Sequence, residues 1–333
     1  MPEGHSVHRI ARQFRLHFVG HTVAVSSPQG RFADGATRID GRRMTDARAV
    51  GKQMFLEFDN SLWLRVHLGL YGAWDFAGDI TADATTASAG GRMGQTNQRG
   101  TVLDPSRASG RANEFEDSLA SIGAPRRTRL RMSEQETLGP VDGSSFPPAP
   151  VGAVRVRLLT EAAVADLRGP TACEVQTPEQ VDAAIAKLGP DPLVDDAAAG
   201  EERFVSVVRK KSTPIALLLM DQSVVSGIGN VYRAELLFRA RLNPHTPGKA
   251  VSERAARELW RDWTYLLGLG VTTGQMLTMD DLSPNDHRKA LAHRDDRHWV
   301  YHRTGLPCRL CGAHILMEEL GGRKLYWCPA DQA

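Results

Sequence analysis

The C-terminal tail restricts this chain more than any other stretch. Cys308 and Cys311 are separated by two residues, sixteen residues follow before Cys328, and Asp331 stands where a fourth cysteine would complete the pattern. Two short hooks about 15 to 20 residues apart are the spacing of a zinc ribbon, in which two tight turns each offer a pair of ligands to one tetrahedral ion. Gly312 and Pro329 flank the hooks, and the chain holds only four cysteines, so scattered core thiols do not account for the pairing. A carboxylate oxygen ligates zinc at about the distance of an imidazole nitrogen, which makes Asp331 the expected fourth ligand, at some cost in affinity. So short a hairpin has no core of its own and needs the ion to fold. The expected site is one structural Zn2+ held by Cys308, Cys311, Cys328 and Asp331.

A chain of 333 residues suits two domains with a small third module at this tail. Its 41 Lys and Arg nearly balance 39 Asp and Glu, so a polyanionic partner must be met by local patches. Residues 203–241 carry a net charge of plus five and residues 288–327 plus four, whereas residues 78–150 are close to neutral. No apolar run reaches the roughly 18 to 20 residues that span a bilayer, and no signal-peptide core opens the chain. A soluble, cytoplasmic protein is expected, with Cys173 a reduced core residue.

Behind Pro2, Glu3 and Gly4, the residues Val7, Ile10, Phe14 and Phe18 recur at helical spacing before Gly20, which predicts an amphipathic helix. Its other face, with His8, Arg9, Arg12 and Arg15, is expected to be solvated. Short β-branched and aromatic runs predict strands over 22–25, 54–58, 62–67, 73–76 and 154–159. Residues 78–150, rich in Ala, Thr, Ser, Gly and Arg and lacking periodicity, read as a disordered insertion between two strands. The segment LGPDPLVDD at 188–196 reads as a linker. Beyond it helices are expected over 215–220, with Pro214 at the first position, over 230–238, and over 253–267 with Gly268 as the stop.

Two constellations can carry chemistry. Ser226-Gly227-Ile228-Gly229-Asn230 joins two helices, and its glycines allow backbone N–H groups to point outward at a helix N-terminus, an anion seat sized for a phosphate. A lone Gly-x-Gly is equally an ordinary turn, but Lys210, Lys211 and Arg233 flank it. Together with Arg303, Arg309, Arg323 and Lys324 on the zinc hairpin, it suggests a nucleic-acid clamp. At the other end, removal of Met1 would expose Pro2 as a secondary amine. An α-amino group titrates at about 8 against about 10.4 for lysine, so far more of it is unprotonated at neutral pH. Such an amine can attack a sugar aldehyde carbon to form an imine, with Glu3 beside it as general acid once withdrawn from water. Pro-Glu is also simply good helix-start chemistry.

The start MPEGH, the turn GIGNVYRAELLF and the ending VYHRTGLPCRLC together resemble the formamidopyrimidine-DNA glycosylase and endonuclease VIII family of base-excision repair enzymes. The resemblance spans nearly the whole chain outside 78–150. It implies an α+β multidomain fold: an N-terminal β-sandwich catalytic domain over 1–187 with an N-terminal catalytic helix, a helix-two-turn-helix domain over 197–290, and a zinc finger over 296–333, with DNA in the cleft. By the same resemblance Pro2 is the nucleophile at C1′ of a damaged nucleotide, and Glu3 protonates the deoxyribose ring oxygen. Lys52, in the turn Gly51-Lys52-Gln53, grips a phosphate near the lesion. Asn230, in the turn of Gly227 and Gly229, binds a further phosphate, and Arg303 of the finger holds one beside the lesion. Leu70 and Tyr71 match a wedge that fills the hole left by an extruded base.

The implied activity is a bifunctional DNA glycosylase and abasic-site lyase. It would excise oxidised bases, with the endonuclease VIII branch and pyrimidines favoured by PEGH and by Leu70-Tyr71, and nick the strand by β,δ-elimination. The implied partner is damaged double-stranded DNA, bound by a monomer. A purine-selective member of the same family and a non-catalytic zinc-ribbon DNA-binding protein are the alternatives. Two departures stand out: Ser6 lies where many members have a glutamate, and Asp331 replaces the fourth zinc cysteine.

Overall fold

The computed structural model describes residues 2–80, 121–123, 146–280, 282–292 and 296–333, and the chain divides between Ile185 and Ala186 into two compact units. The N-terminal unit opens with helix α1 (Gly4–His17). The row Val7, Ile10, Phe14 and Phe18 is buried as its spacing demands. Phe14 packs edge-on against Trp74 at 4.8 Å and Phe76 at 5.3 Å, and a buried Phe in such a cluster contributes about 3–5 kcal/mol relative to Ala. Arg9, expected in solvent, is instead 1 % exposed, while Arg12 and Arg15 do face water.

Behind α1 run β1 (Thr22–Ser26), the short helix α2 (Ala33–Ile39), β2 (Arg42–Val50), β3 (Gln53–Phe58), β4 (Trp63–His67), β5 (Ala73–Gly78), β6 (Ser121–Gly123), β7 (Val154–Leu159), β8 (Ala163–Arg168), β9 (Ala172–Gln176) and α3 (Pro178–Ile185). The strands pair antiparallel in the order β6-β5-β8-β7-β1-β2-β3-β4-β9. β1 is the corner. Its first residues pair with β2 at Thr22–Arg43 and its last with β7 at Ser26–Arg157, so two halves bend about it. Both halves face one core, in which Met54, Leu56 and Leu64 join Trp74, Val156 and Leu167.

Of the insertion expected over 78–150, residues 81–120 and 124–145 lie outside the described residues. Within it, however, Ser121–Gly123 pairs with β5, and Ile122 is buried in the core. A three-residue strand has no periodicity by which a sequence could announce it.

The C-terminal unit carries α4 (Ala197–Arg209), α5 (Ile215–Leu218), α6 (Asn230–Arg239), α7 (Glu253–Thr273), α8 (Pro284–Ala292) and a hairpin of β10 (Leu316–Leu320) and β11 (Arg323–Trp327). Asp196 caps α4 by accepting from the Ala198 and Ala199 N–H groups, a role for which a short carboxylate at a helix start is well suited. Pro214 is the N-cap of α5, one position earlier than expected. Gly268 does not stop α7. The helix runs on to Gly274, whose φ of 72° supplies the left-handed cap, and an interior glycine costs only about 1 kcal/mol. Nor is LGPDPLVDD a loose linker. The Gly189 N–H donates to Gln222 O at 2.7 Å, and a β-carbon at Gly189 would collide with the backbone of Val224 and Val225.

Candidate active site and nucleic-acid interface

Each unit assembles part of the expected site. In the N-terminal unit, Pro2 and Glu3 are buried, Glu3 wholly so, at the mouth of α1. Glu3 occupies the N-cap position in extended conformation, but its side chain makes no capping bond. Its carboxyl is thus not committed to closing the helix, the bland role its position suggests. His5 follows, 4 % exposed, with Nε2 at 3.1 Å from the Ser6 hydroxyl. Burial first, then the Arg9 guanidinium, push the His5 imidazole down to about 3. The unfolded chain takes up that proton near 6.5 and the folded chain only near 3, so acidification through this window weakens the fold. His5→Gln should therefore flatten the fall in melting temperature between about pH 6.5 and pH 4; an unchanged slope would show that His5 titrates normally.

Gly51 and Lys52 form the two-residue turn between β2 and β3, because Val50 pairs with Gln53. Gly51 has φ of 57° and Lys52 is not in the left-handed region, the pattern of a II′ hairpin with glycine first. Lys52 is half-buried, and its charge reaches His67 on β4. Burial, then Lys52 and Arg65, hold the His67 imidazole below its usual range.

Leu70 and Tyr71 sit at the tip between β4 and β5, 38 % and 58 % exposed, so they do not pack on the core. Their loop is firmly based. The Gly72 N–H donates to Leu68 O and the Thr171 N–H to His67 O, both at 2.9 Å. Gly69, with φ of 64°, lies so close to Thr171 that any side chain there would strike its hydroxyl.

In the C-terminal unit the turn before α6 is built by Gln222. Its Oε1 accepts from the Gly227 N–H at 3.0 Å and its Nε2 donates to Ile228 O at 3.1 Å. The Ser226 hydroxyl anchors the turn to Gly189 O at 2.7 Å. Gly229 is the α6 N-cap without any side-chain cap, and the first N–H groups of a helix have no partner within it. Asn230, 7 % exposed, donates through Nδ2 to Lys324 O at 2.8 Å, so it ties the turn to the start of β11. Arg233 is fully buried and also donates to Lys324 O, at 3.1 Å. It is therefore an internal brace, not the surface cation the sequence suggests.

Arg303, expected to grip a phosphate, uses two of its five guanidinium N–H groups within the protein. Only 9 % exposed, it donates to Trp299 O at 2.9 Å and Pro307 O at 3.0 Å, and burial, with Arg309 next, lowers its pKa. It pins the loop leading into the hairpin. The exposed cations of this segment are Arg309, which pairs with Asp296, and Arg323 and Lys324 at the two-glycine turn Gly321-Gly322. A residue that sequence reasoning passed over is Glu235. Fully buried, it accepts from the Trp299 N–H at 2.8 Å, the Val300 and Tyr301 N–H groups at 2.9 Å, and the Thr278 hydroxyl. Its only signal was a charged residue in the apolar row of α6.

Cys308, Cys311, Cys328 and Asp331 converge, with their ligand atoms all within 4.8 Å of one another. A zinc tetrahedron with bonds of about 2.3 Å has ligands about 3.8 Å apart. The thiol of Cys308 lies 3.0 Å from Asp331 Oδ2, the Cys311 and Cys328 sulfurs are 3.5 Å apart, and Cys328 lies 3.4 Å from the same carboxylate oxygen. The Leu310 and Asp331 N–H groups point at the Cys308 and Cys328 sulfurs, where they would stabilise thiolates. Three soft sulfurs and one carboxylate at this spacing fit a divalent zinc ion.

Three family descriptions match the chain in order. These are the formamidopyrimidine-DNA glycosylase N-terminal domain over residues 1–117, the formamidopyrimidine-DNA glycosylase H2TH domain over 188–281, and a zinc finger found in FPG and IleRS over 305–333. Endonuclease 8 1 of Mycobacterium tuberculosis is 35 % identical over 332 residues, covering 100 % of both chains. The chain belongs to the formamidopyrimidine-DNA glycosylase and endonuclease VIII family. Another relative, formamidopyrimidine-DNA glycosylase of Thermus thermophilus, is 35 % identical over 148 residues, 44 % of this chain and 54 % of that one. The fold agrees with solved family structures. Lactococcus lactis Fpg in complex with abasic-site DNA superposes with a TM-score of 0.63 at 16 % identity over 99 % of each chain. The MutM (Fpg) protein of Thermus thermophilus does so with 0.63 at 22 %, over 99 % of this chain and 98 % of that one. The chain is thus a DNA-repair glycosylase by family, with a DNA-binding helical region and a zinc-finger domain. No helix among the described residues is long and apolar enough to cross a membrane.

Proposed function

We propose that this member is a bifunctional DNA glycosylase and abasic-site lyase acting on oxidised pyrimidines in duplex DNA. The observation that carries the reading is the pair Pro2 and Glu3, buried at the head of α1, in a chain alike over its whole length to a protein named Endonuclease 8 1. The Pro2 nitrogen forms a bond to C1′ while the bond from C1′ to the base breaks, its electron pair leaving on the base. The amine proton passes to the departing base, Glu3 gives its own proton to the ring oxygen, and the sugar opens to leave an iminium. That cation acidifies the C2′ hydrogen. Its removal expels the 3′ phosphate, and a second elimination along the conjugated chain expels the 5′ phosphate.

Lys52 in the N-terminal unit and the turn of Gly227, Gly229 and Asn230 in the C-terminal unit each hold backbone phosphates, the turn through its N–H groups and the α6 dipole. Arg303 holds a phosphate with the guanidinium N–H groups left after its two carbonyl contacts, and Arg323, exposed beside the Asn230 contact with Lys324, adds a second. Leu70 and Tyr71 enter the stack as the base leaves. Because both are exposed, Leu70→Ala with Tyr71→Ala should leave stability within about 0.5 kcal/mol yet slow excision from duplex DNA. Equal excision rates would show that they are not the wedge.

Cys308, Cys311, Cys328 and Asp331 hold one zinc ion, whose role is to fold the hairpin that presents Arg323. The purified protein should carry one zinc per chain, Asp331→Ala should lose it to a chelator, and Asp331→Cys should hold it more tightly. Zinc retained unchanged in Asp331→Ala would mean that another group closes the site. The branch is tested with duplexes containing thymine glycol or 8-oxoguanine: faster release of the pyrimidine supports the proposal, and preference for the purine contradicts it.

A further inference from the structure

The two hooks of the zinc hairpin are closed by different means. In the first, the Cys308 N–H donates to Ala313 O at 2.7 Å, and the Cys308 carbonyl accepts from the Gly312 N–H at 3.0 Å, with Gly312 at φ of 79°. That left-handed glycine turns the chain so that main-chain groups hold the cysteine. In the second hook the Cys328 carbonyl accepts from the Gln332 N–H at 3.1 Å, again four residues on. No glycine follows it, and the Cys328 N–H is taken by a side chain, Gln332 Oε1 at 2.9 Å. The other end of the same amide, Nε2, donates to Leu242 O at 3.1 Å, in the segment just behind α6. Gln332 is 0 % exposed, although Asp331 before it and Ala333 after it are not buried. A buried amide is costly unless its polar atoms are paired, and here both ends are.

The hook closed in this way is the one that carries the carboxylate. A thiolate is aimed by one side-chain torsion, whereas an aspartate oxygen needs two, the second of them broad. Asp331 is therefore well aimed only while its backbone is held. It lies inside the loop from Cys328 to Gln332, which Gln332 closes by both main chain and side chain, and its N–H points at the Cys328 sulfur at 3.4 Å. We propose that Gln332 is the positioning residue that lets Asp331 serve as the fourth ligand, by fixing this loop to itself and to the Leu242 carbonyl. The inference rests on the proposed zinc ion at Cys308, Cys311, Cys328 and Asp331. Outer partners that orient metal ligands contribute about 10- to 100-fold in affinity, and the weaker, less directed ligand depends on them more.

The test measures how fast the full-length protein yields zinc to an excess of a chromophoric chelator, for the parent, Gln332→Ala, Asp331→Cys and the double variant. Gln332→Ala should release zinc about 10- to 100-fold faster than the parent. In the Asp331→Cys background the same substitution should have a much smaller effect, since a thiolate needs less aiming. With cobalt(II) in place of zinc, Gln332→Ala should shift the visible d–d bands while the sulfur-to-metal charge transfer of three cysteines stays. An unchanged release rate, or one raised equally in both backgrounds, would make Gln332 a mere tether of the tail and overturn the proposal. Should Gln332→Ala fail to fold, Gln332→Met, which fills the same space without either hydrogen bond, decides by the same criteria. A parent that holds neither zinc nor cobalt would instead sink the zinc site itself, and this role with it.

Discussion

Glu3→Gln is expected to lower base excision by about 10²- to 10⁴-fold, the range for a lost general acid, while leaving trapping on preformed abasic DNA nearly intact. The two readouts separate because only the intact nucleotide needs its ring oxygen protonated; an abasic sugar already offers an open-chain aldehyde to the amine. Geometry makes the variant informative. Glu3 is fully buried and its side chain makes no capping bond to α1, so the amide keeps the shape and breaks no helix cap. Single-turnover excision and trapping, measured on one preparation, check the expectation. Parallel loss of both would mean that Glu3 supports the fold or the amine and is not the acid.

Replacing Glu235 should have the largest effect on stability. Its carboxylate receives three consecutive backbone N–H groups, from Trp299, Val300 and Tyr301, and the Thr278 hydroxyl. Burial pushes the carboxyl above its usual range while these donors pull it back. In Glu235→Ala the three N–H groups lose their acceptor, each at about 1–3 kcal/mol. For a unit of this size a loss of several kcal/mol lowers the melting temperature by about 10 °C or more. Glu235→Gln keeps the volume but turns an NH2 group toward donors, and it should recover little. Calorimetry on the zinc-loaded protein measures the shift, and DNA affinity should fall with it because the segment 299–301 leads into the zinc hairpin. A melting temperature within about 2 °C of the parent would show that water replaces the carboxylate.

The elements legible in the sequence are those whose burial is one-sided and apolar. The row Val7, Ile10, Phe14 announces α1, and Val154–Leu159 announces β7 with its true boundaries. The cluster of Cys308, Cys311, Cys328 and Asp331 is equally legible, because two cysteine hooks at this spacing seldom arise without a metal to hold. β8 was not legible: all six of its residues are buried, among them Asp166 and Arg168. Asp166 takes a bidentate Arg157 at 2.7 and 2.8 Å, and Arg168 meets Asp75. Buried charges paired across strands erase the alternation by which a strand is recognised. β2, with the sequence RRMTDARAV, fails for a related reason, since its polar face outweighs its apolar one and a register shift between Met44 and Asp46 breaks the period.

In the site the pattern is the same. Residue types single out Pro2, Glu3 and Lys52 as expectations, but spacing could not tell that Arg9, Arg233 and Arg303 are buried, the last two donating to backbone carbonyls, whereas Arg323 faces solvent. An arginine reads alike in either setting until its carbonyl partners are known.

The amine of Pro2 is proposed as the group that joins DNA. The most direct measurement is the mass of the peptide carrying the reduced adduct after trapping on abasic-site duplex and proteolysis. The account predicts the sugar remnant on the peptide that begins at Pro2, and no adduct when Met1 is retained ahead of it. A remnant on Lys52 or any other lysine would contradict the account.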